Sequence, residues 1–168
     1  VLGSRGLGDV YKRQFFKMLD NKDLIPCCTG MIQREVALRI ASAPGNKDYG
    51  ILSVLIQAWY NVEYLFTVDE NVFNPPPKVK SAVIRMTRND VSDLGCDWQL
   101  FRRVVKTVFN QRRKMLRVSL RQLFSAGSVS PGFFEHEMMT CRPEQLSVAR
   151  FVELTNLVAE QMAANSQD

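Results

Sequence analysis

An aromatic ring beside a rigid backbone without N–H donors can grip a flat partner, and the chain contains such a pairing. Phe73 and Asn74 precede Pro75, Pro76 and Pro77, with Lys78 and Lys80 directly after. Consecutive prolines fix φ and remove backbone N–H groups, so the segment is extended and stiff. A phenyl face there can stack on a planar group; Lys78 and Lys80 can reach phosphate or stay solvated. On residue type alone a core plug accounts for Phe73 equally well.

A second candidate is electrostatic. Between Asp97 and Phe124 the basic residues are Arg102, Arg103, Lys106, Arg112, Arg113, Lys114, Arg117 and Arg121, against Asp97 as the one acid. Guanidinium forks match phosphate oxygens, and each neutralised phosphate releases condensed counterions, so the cluster suits a nucleic-acid backbone. Arg113, Arg117 and Arg121 would form one ridge on a helix, where like charges repel by a few tenths of a kcal/mol, roughly. A bound phosphate backbone would offset that repulsion. The alternative is a solvated helix face with some arginines paired to glutamates of the neighbouring domain.

Other chemistries find little support. Cys27, Cys28, Cys96 and Cys141 form no CxxC pair and His136 is the single histidine, so no metal site is expected. Adjacent Cys27 and Cys28 on a strand would point to opposite faces and could not bridge each other; all four read as reduced thiols of a cytoplasmic protein. Gly3, Gly6 and Gly8 follow no strand and lack GxGxxG spacing. No run approaches the roughly 18 apolar residues that a membrane span needs, and the first residues lack the apolar core of a signal peptide. With 46% hydrophobic and 23% charged residues over 168 positions, the composition is that of a globular protein and excludes disorder. The net charge of +5 makes an acidic partner plausible without identifying it.

These candidates need elements to hold them. Residues 1–14 mix glycine with charge, have no amphipathic period and read as a non-native lead, to be set aside in fold reasoning. From 15 to 88 short helices alternate with short apolar runs, the pattern of an α/β layer. CCTGMIQ suits a buried strand and REVALRIAS the helix after it, with Val36, Ala37 and Ile40 on one face and a stop near Ser42 at Ala43, Pro44 and Gly45. The long apolar run after Tyr49 is split at Asn61 into a helix over Ile51–Tyr60 and a strand VEYLFTV; after the proline loop VKSAVIRMTR resumes as a strand. Residues 89–96 are a polar linker. Beyond it, 97–164 read as helical, with 165–168 as a tail. Asp97 caps a helix carrying Phe101, Val104, Val105 and Val108 on one stripe; Leu116, Leu120, Leu123 and Phe124 stripe a second over 112–124. After a loop through Gly127, Pro131 and Gly132, Ser147 caps a third helix with Phe151, Leu154, Leu157, Val158 and Met162 on one side.

The run VFNPPPKVKSAVIRM, with MIQREVALRIASAPGNKDYGILSVLIQ before it and FNQRRKMLRVSL after it, resembles the KsgA/Erm family of ribosomal RNA adenine dimethyltransferases, the KsgA-like branch most closely, over Phe15 to about Val158. That resemblance implies the carboxyl-terminal part of a Rossmann-like methyltransferase domain over 15–88, followed by a small all-helical RNA-binding domain. It implies S-adenosylmethionine as methyl donor, no metal, and two adjacent adenines of small-subunit rRNA in an immature 30S subunit as target. It makes Phe73 the ring that stacks on the flipped adenine, with Pro75, Pro76, Pro77 and Lys78 lining the pocket, and Lys80, Arg102, Arg103, Lys106, Arg112, Arg113, Lys114 and Arg117 available to RNA.

The family's donor-site glycine loop, its acidic residue and its NLPY-like motif have no counterpart here. The expectation is therefore a monomer that lacks the donor-binding half and binds no S-adenosylmethionine alone. Two other classes remain: a non-catalytic RNA-binding or ribosome-assembly module, and a helix-turn-helix over 98–124, against which the Asn110–Gln111 connection lacks glycine.

Overall fold

The computed structural model describes residues 5–125 and 129–164. Residues 1–4 of the lead, Gly127 and the tail 165–168 lie outside the described residues. The chain divides into two compact units: residues up to Ala41 with Trp59–Asp90, and Ser42–Ala58 with the residues from Val91 onward. The compositional reading placed all of 15–88 in one domain, whereas here 42–58 clusters with the helical unit.

The first unit is an α/β layer. Helix α1 spans Arg5–Asp20 and runs through residues 5–14 without a break, burying Phe15, Met18 and Leu19. Strands β1 (Cys27–Gln33), β2 (Tyr60–Val68) and β3 (Ser81–Arg88) form a sheet in the order β1-β3-β2, with β3 antiparallel to both neighbours. Side chains alternate along β3, so Ala82, Ile84 and Met86 are buried while Arg85 and Thr87 are exposed. In the register Ile32, Gly30 and Cys28 lie beside those three buried residues, and with Phe15 and Met18 of α1 they line an apolar cavity of about 290 Å³.

Helix α2 (Arg34–Ala41) follows β1 directly and buries Ala37 and Ile40, with Val36 half-buried; it ends one residue before Ser42, ahead of Pro44 and a left-handed Gly45. CCTGMIQ is a strand, and among the described residues an edge strand: there it pairs with β3 alone, and Ile32 is its buried residue. The start of β2 is fixed by Tyr60, whose hydroxyl donates to the Ile25 carbonyl at 2.8 Å, and by Arg88, which donates to the Trp59 carbonyl at 2.6 Å.

The second unit is helical. Helix α3 spans Ile51–Gln57, three residues shorter than expected because strand pairing begins at Tyr60. Helix α4 (Trp98–Asn110) is capped by Asp97, whose carboxylate accepts from the Leu100 amide at 2.7 Å, and Phe101, Val104, Val105 and Val108 are its buried stripe. Residues 112–124 do not form the single helix their spacing suggests. They comprise a turn, a short helix α5 (Leu116–Ser119) and a 3-10 segment Leu120–Leu123, with Leu116 and Leu120 buried and Leu123 and Phe124 half-buried. Arg112 lies in that turn, where its guanidinium donates to Glu144.

Helix α6 (Val148–Ala164) starts at Ser147, whose hydroxyl accepts from the Arg150 amide at 3.3 Å. Its core face holds Phe151, Leu154, Thr155, Val158 and Gln161, while Leu157 and Met162 are half-buried. Apolar spacing missed the two polar members, which are satisfied internally. Thr155 donates to the Phe151 carbonyl at 2.7 Å, and Gln161 accepts from the Ser130 hydroxyl at 2.6 Å.

Tyr49 is fully buried in this unit; its ring meets Phe109 edge-on at 6.1 Å and its hydroxyl donates to the Leu146 carbonyl at 2.7 Å. Tyr49→Phe keeps the ring and leaves that carbonyl without its donor. Denaturant unfolding should show a loss of about 1–3 kcal/mol, the cost of a buried unpaired acceptor; an unchanged midpoint would mean that water replaces the hydroxyl.

Candidate functional site

The proline segment belongs to the loop over 69–80 that joins β2 to β3. Because Val68 and Ser81 are register partners, the loop leaves and re-enters the sheet at adjacent strand ends. Asp69 opens it with an Asx turn, its carboxylate accepting from the Asn71 backbone amide at 2.9 Å and the Asn71 side-chain amide at 2.8 Å. A 3-10 turn over Glu70–Val72 follows and ends where the Phe73 amide donates to the Glu70 carbonyl at 3.4 Å. Phe73 is half-buried and does not belong to the buried core. Pro75, Pro76, Pro77 and Lys78 are exposed, and the Asn74–Pro75 peptide is cis.

Lys80, read from sequence as a phosphate ligand, has its ammonium 3.5 Å from the Asp69 carboxylate. The Asn71 amide bonds and the nearby Lys80 ammonium hold the Asp69 carboxyl below the usual carboxylate range. Asp69 was not singled out from the sequence, although an Asp two residues before an Asn, at the end of an apolar run, is the available signal.

The basic residues fall in the second unit and separate into two kinds. Arg112 is partly buried and structural, donating to the Glu144 carboxylate at 2.9 Å and to the Asn46 carbonyl at 3.1 Å. Arg112 was expected among the RNA ligands, and its guanidinium is here engaged within the unit. The proposed ridge of Arg113, Arg117 and Arg121 is also revised, since Arg113 lies in the turn before α5 and Arg121 stacks over Phe134 at 5.0 Å while donating to the Arg117 carbonyl. Arg103, Arg113, Lys114 and Arg117 are exposed. Along α4, Gln99, Arg102, Arg103, Lys106, Thr107 and Asn110 line a shallow concavity of about 340 Å³. Its polar, cationic wall suits an anion more than an apolar ligand.

Residues 12–160 match the family described as ribosomal RNA adenine dimethylase. The chain belongs to the ribosomal RNA adenine dimethylase family. It is 68% identical over 146 residues to ribosomal RNA small subunit methyltransferase A of Bacteroides thetaiotaomicron, covering 87% of this chain and 54% of that protein. The protein of the same name in Parabacteroides distasonis is 59% identical over 154 residues, covering 92% of this chain and 57% of its own length. The chain thus spans about half the length of the curated relatives it matches. A crystal structure of a dimethyladenosine transferase from Plasmodium falciparum superposes with a TM-score of 0.74 at 21% identity, over 93% of this chain and 64% of that one. The fold is that of the carboxyl-terminal part of the methyltransferase.

Gly6 and Gly8 lie in the first turns of α1. Among the described residues, no group of three His, Cys, Asp or Glu side chains could hold a metal, and no helix is long and apolar enough to cross a membrane. The cysteines are free; burial first, with Asp97 adding to it, pushes the Cys96 thiol up to about 11.

Two measurements follow from this geometry. Arg112→Ala should lower unfolding stability by about 1–2 kcal/mol, as expected for a partly buried charged hydrogen-bond pair, while Arg113→Ala should be neutral within about 0.5 kcal/mol; equal effects would contradict the division. At pH 8 exposed Cys27 should alkylate well before Cys96, whose thiol stays protonated there. Mass spectrometry of a partial alkylation reads the order directly.

Proposed function

We propose that this chain is the RNA-facing half of an S-adenosylmethionine-dependent adenine N6-dimethyltransferase that acts on small-subunit rRNA in the immature 30S subunit, as a cytoplasmic monomer. The observation that carries the reading is Phe73: an aromatic ring outside the core, on a loop stiffened by Pro75, Pro76 and Pro77, in a chain of this family. An adenine taken out of its stack loses aromatic contacts, and a phenyl face restores about 1–3 kcal/mol. The prolines keep the ring aimed without further loss of entropy on binding. Lys78, exposed beside them, meets the backbone of the extruded nucleotide.

The second unit supplies sequence-independent affinity through Arg102, Arg103, Lys106, Arg113, Lys114 and Arg117. S-adenosylmethionine supplies an electrophilic methyl group for the adenine amino nitrogen, and the residues that bind it belong to the part of the relatives that this chain does not span. A second reading, a non-catalytic RNA-binding module, is supported by the cationic face of α4.

The chain alone should show no S-adenosylmethionine binding by calorimetry; tight stoichiometric binding would overturn the assignment of the donor site to the missing half. Extended by the half of the Bacteroides relative that it does not span, it should methylate immature small subunits, and Phe73→Ala should lower turnover roughly 5- to 150-fold, the rate equivalent of a lost stacking contact. Methylation by the extended protein separates the enzyme from the binding module. For the helical unit, affinity for an rRNA hairpin should fall with salt, and charge removal at Arg113 or Lys114 should flatten the slope by about 0.7–0.9 per contact. Equal affinity for duplex DNA would favour a helix-turn-helix.

A further inference from the structure

We infer that Asp69 is a positioning residue for Phe73, acting through Asn71 and Lys80 as a clamp across the base of the 69–80 loop. The inference rests on the reading of Phe73 as the adenine-stacking ring. Three observations carry it. Asp69 touches both ends of the loop, with one carboxylate oxygen on the Asn71 backbone and side-chain amides at 2.9 and 2.8 Å and the other 3.5 Å from the Lys80 ammonium. From the Asn71 side, the turn over Glu70–Val72 leads directly to the Phe73 amide, which bonds the Glu70 carbonyl. From the other side, the Lys80 carbonyl accepts from the Arg34 amide at 3.0 Å, which fixes Lys80 to the start of α2.

Prolines stiffen the distal half of the loop and contribute no N–H donors to hold it in place. Residues 69–73 contain no proline, and their conformation depends on what Asp69 bonds. The clamp therefore fixes where the rigid segment begins. Asp69 and Lys80 side chains are each about half exposed, at 48% and 50%, so a merely structural ion pair there would contribute little to global stability. Their geometric effect on Phe73 is a separate quantity, because displacing a stacking ring by an ångström alters the reacting geometry without unfolding anything. Lys80 on this account is not a phosphate contact.

Three substitutions test this. Asp69→Asn keeps an acceptor for the Asn71 amide and removes the charge facing Lys80, Asp69→Ala removes both, and Lys80→Met removes the cation alone. In this chain, hydrogen exchange at the Asn71 and Phe73 amides should quicken most in Asp69→Ala and least in Lys80→Met, with the melting temperature nearly constant. In the protein extended by its missing half, Asp69→Ala should lower kcat roughly ten- to a hundredfold with KM for rRNA and the salt slope unchanged. Asp69→Asn and Lys80→Met should cost less, and together no more than the larger of the two, since both break one contact.

Unchanged amide exchange in Asp69→Ala would overturn the clamp, as would loosened amides with intact kcat. A rise in KM with a flatter salt slope in Lys80→Met would overturn it in favour of a phosphate contact. Turnover that survives Phe73→Ala would refute the stacking reading instead, a result the amide exchange does not share.

Discussion

Strand β3 is hydrogen-bonded along both edges, and the first unit is organised by that constraint. Because β1 and β2 each run antiparallel to it, they point the same way without touching, and the chain must cross over between them. The alternation along β3 sets the faces of β1 throughout and of β2 as far as a register shift between Tyr64 and Phe66, so Ala82, Ile84 and Met86 face inward together with Ile32 and Gly30 of β1. A one-residue slip would turn that apolar set outward. The same register puts Ser81 opposite both Gln33 and Val68. The 69–80 loop and the turn from β1 into α2 therefore emerge side by side, which is what lets the Lys80 backbone bond Arg34.

Charge in the second unit divides between holding the fold and facing solvent. Arg112 and Arg121 are bound within the unit, one to Glu144 and Asn46, the other to Phe134 and the Arg117 carbonyl. Arg112 pairs with Glu144 from a turn where spacing suggests a helix, and Arg113 and Lys114 beside it are exposed. One arginine thus contributes to packing within the unit and its exposed neighbours to the local potential. Counting the cluster from sequence gives its sign but cannot separate these roles, since guanidinium groups of either kind look alike in a string of letters.

The sequence was readable where a local rule acts alone. Asp97 and Ser147 cap the helices their positions suggest, and the stripe on α4 is buried as its period requires. It was not readable where a distant partner decides. CCTGMIQ has the composition of a buried strand, yet burial depends on neighbours, and β1 has one among the described residues. Thr155 and Gln161 look like surface residues until Phe151 and Ser130 are found beside them. In the site, Phe73 and the prolines stood out because rare residue types mark them. Asp69 did not, because an aspartate at a strand end is ordinary until Lys80 closes the loop over it.

The outer strands of the sheet, β1 and β2, each leave one edge open among the described residues. Strand β1 exposes Cys27 and Met31, and β2 exposes Phe66, each with a single described neighbour. Unpaired strand edges with apolar side chains invite further pairing, so they are the weakest part of the unit. The loop over 69–80 does not depend on those outer edges: its two ends are tied to β3, the strand paired on both sides, and its base is tied by Asp69. The geometry around Phe73 is consequently a property of residues within this chain, and loop order there can be read apart from turnover.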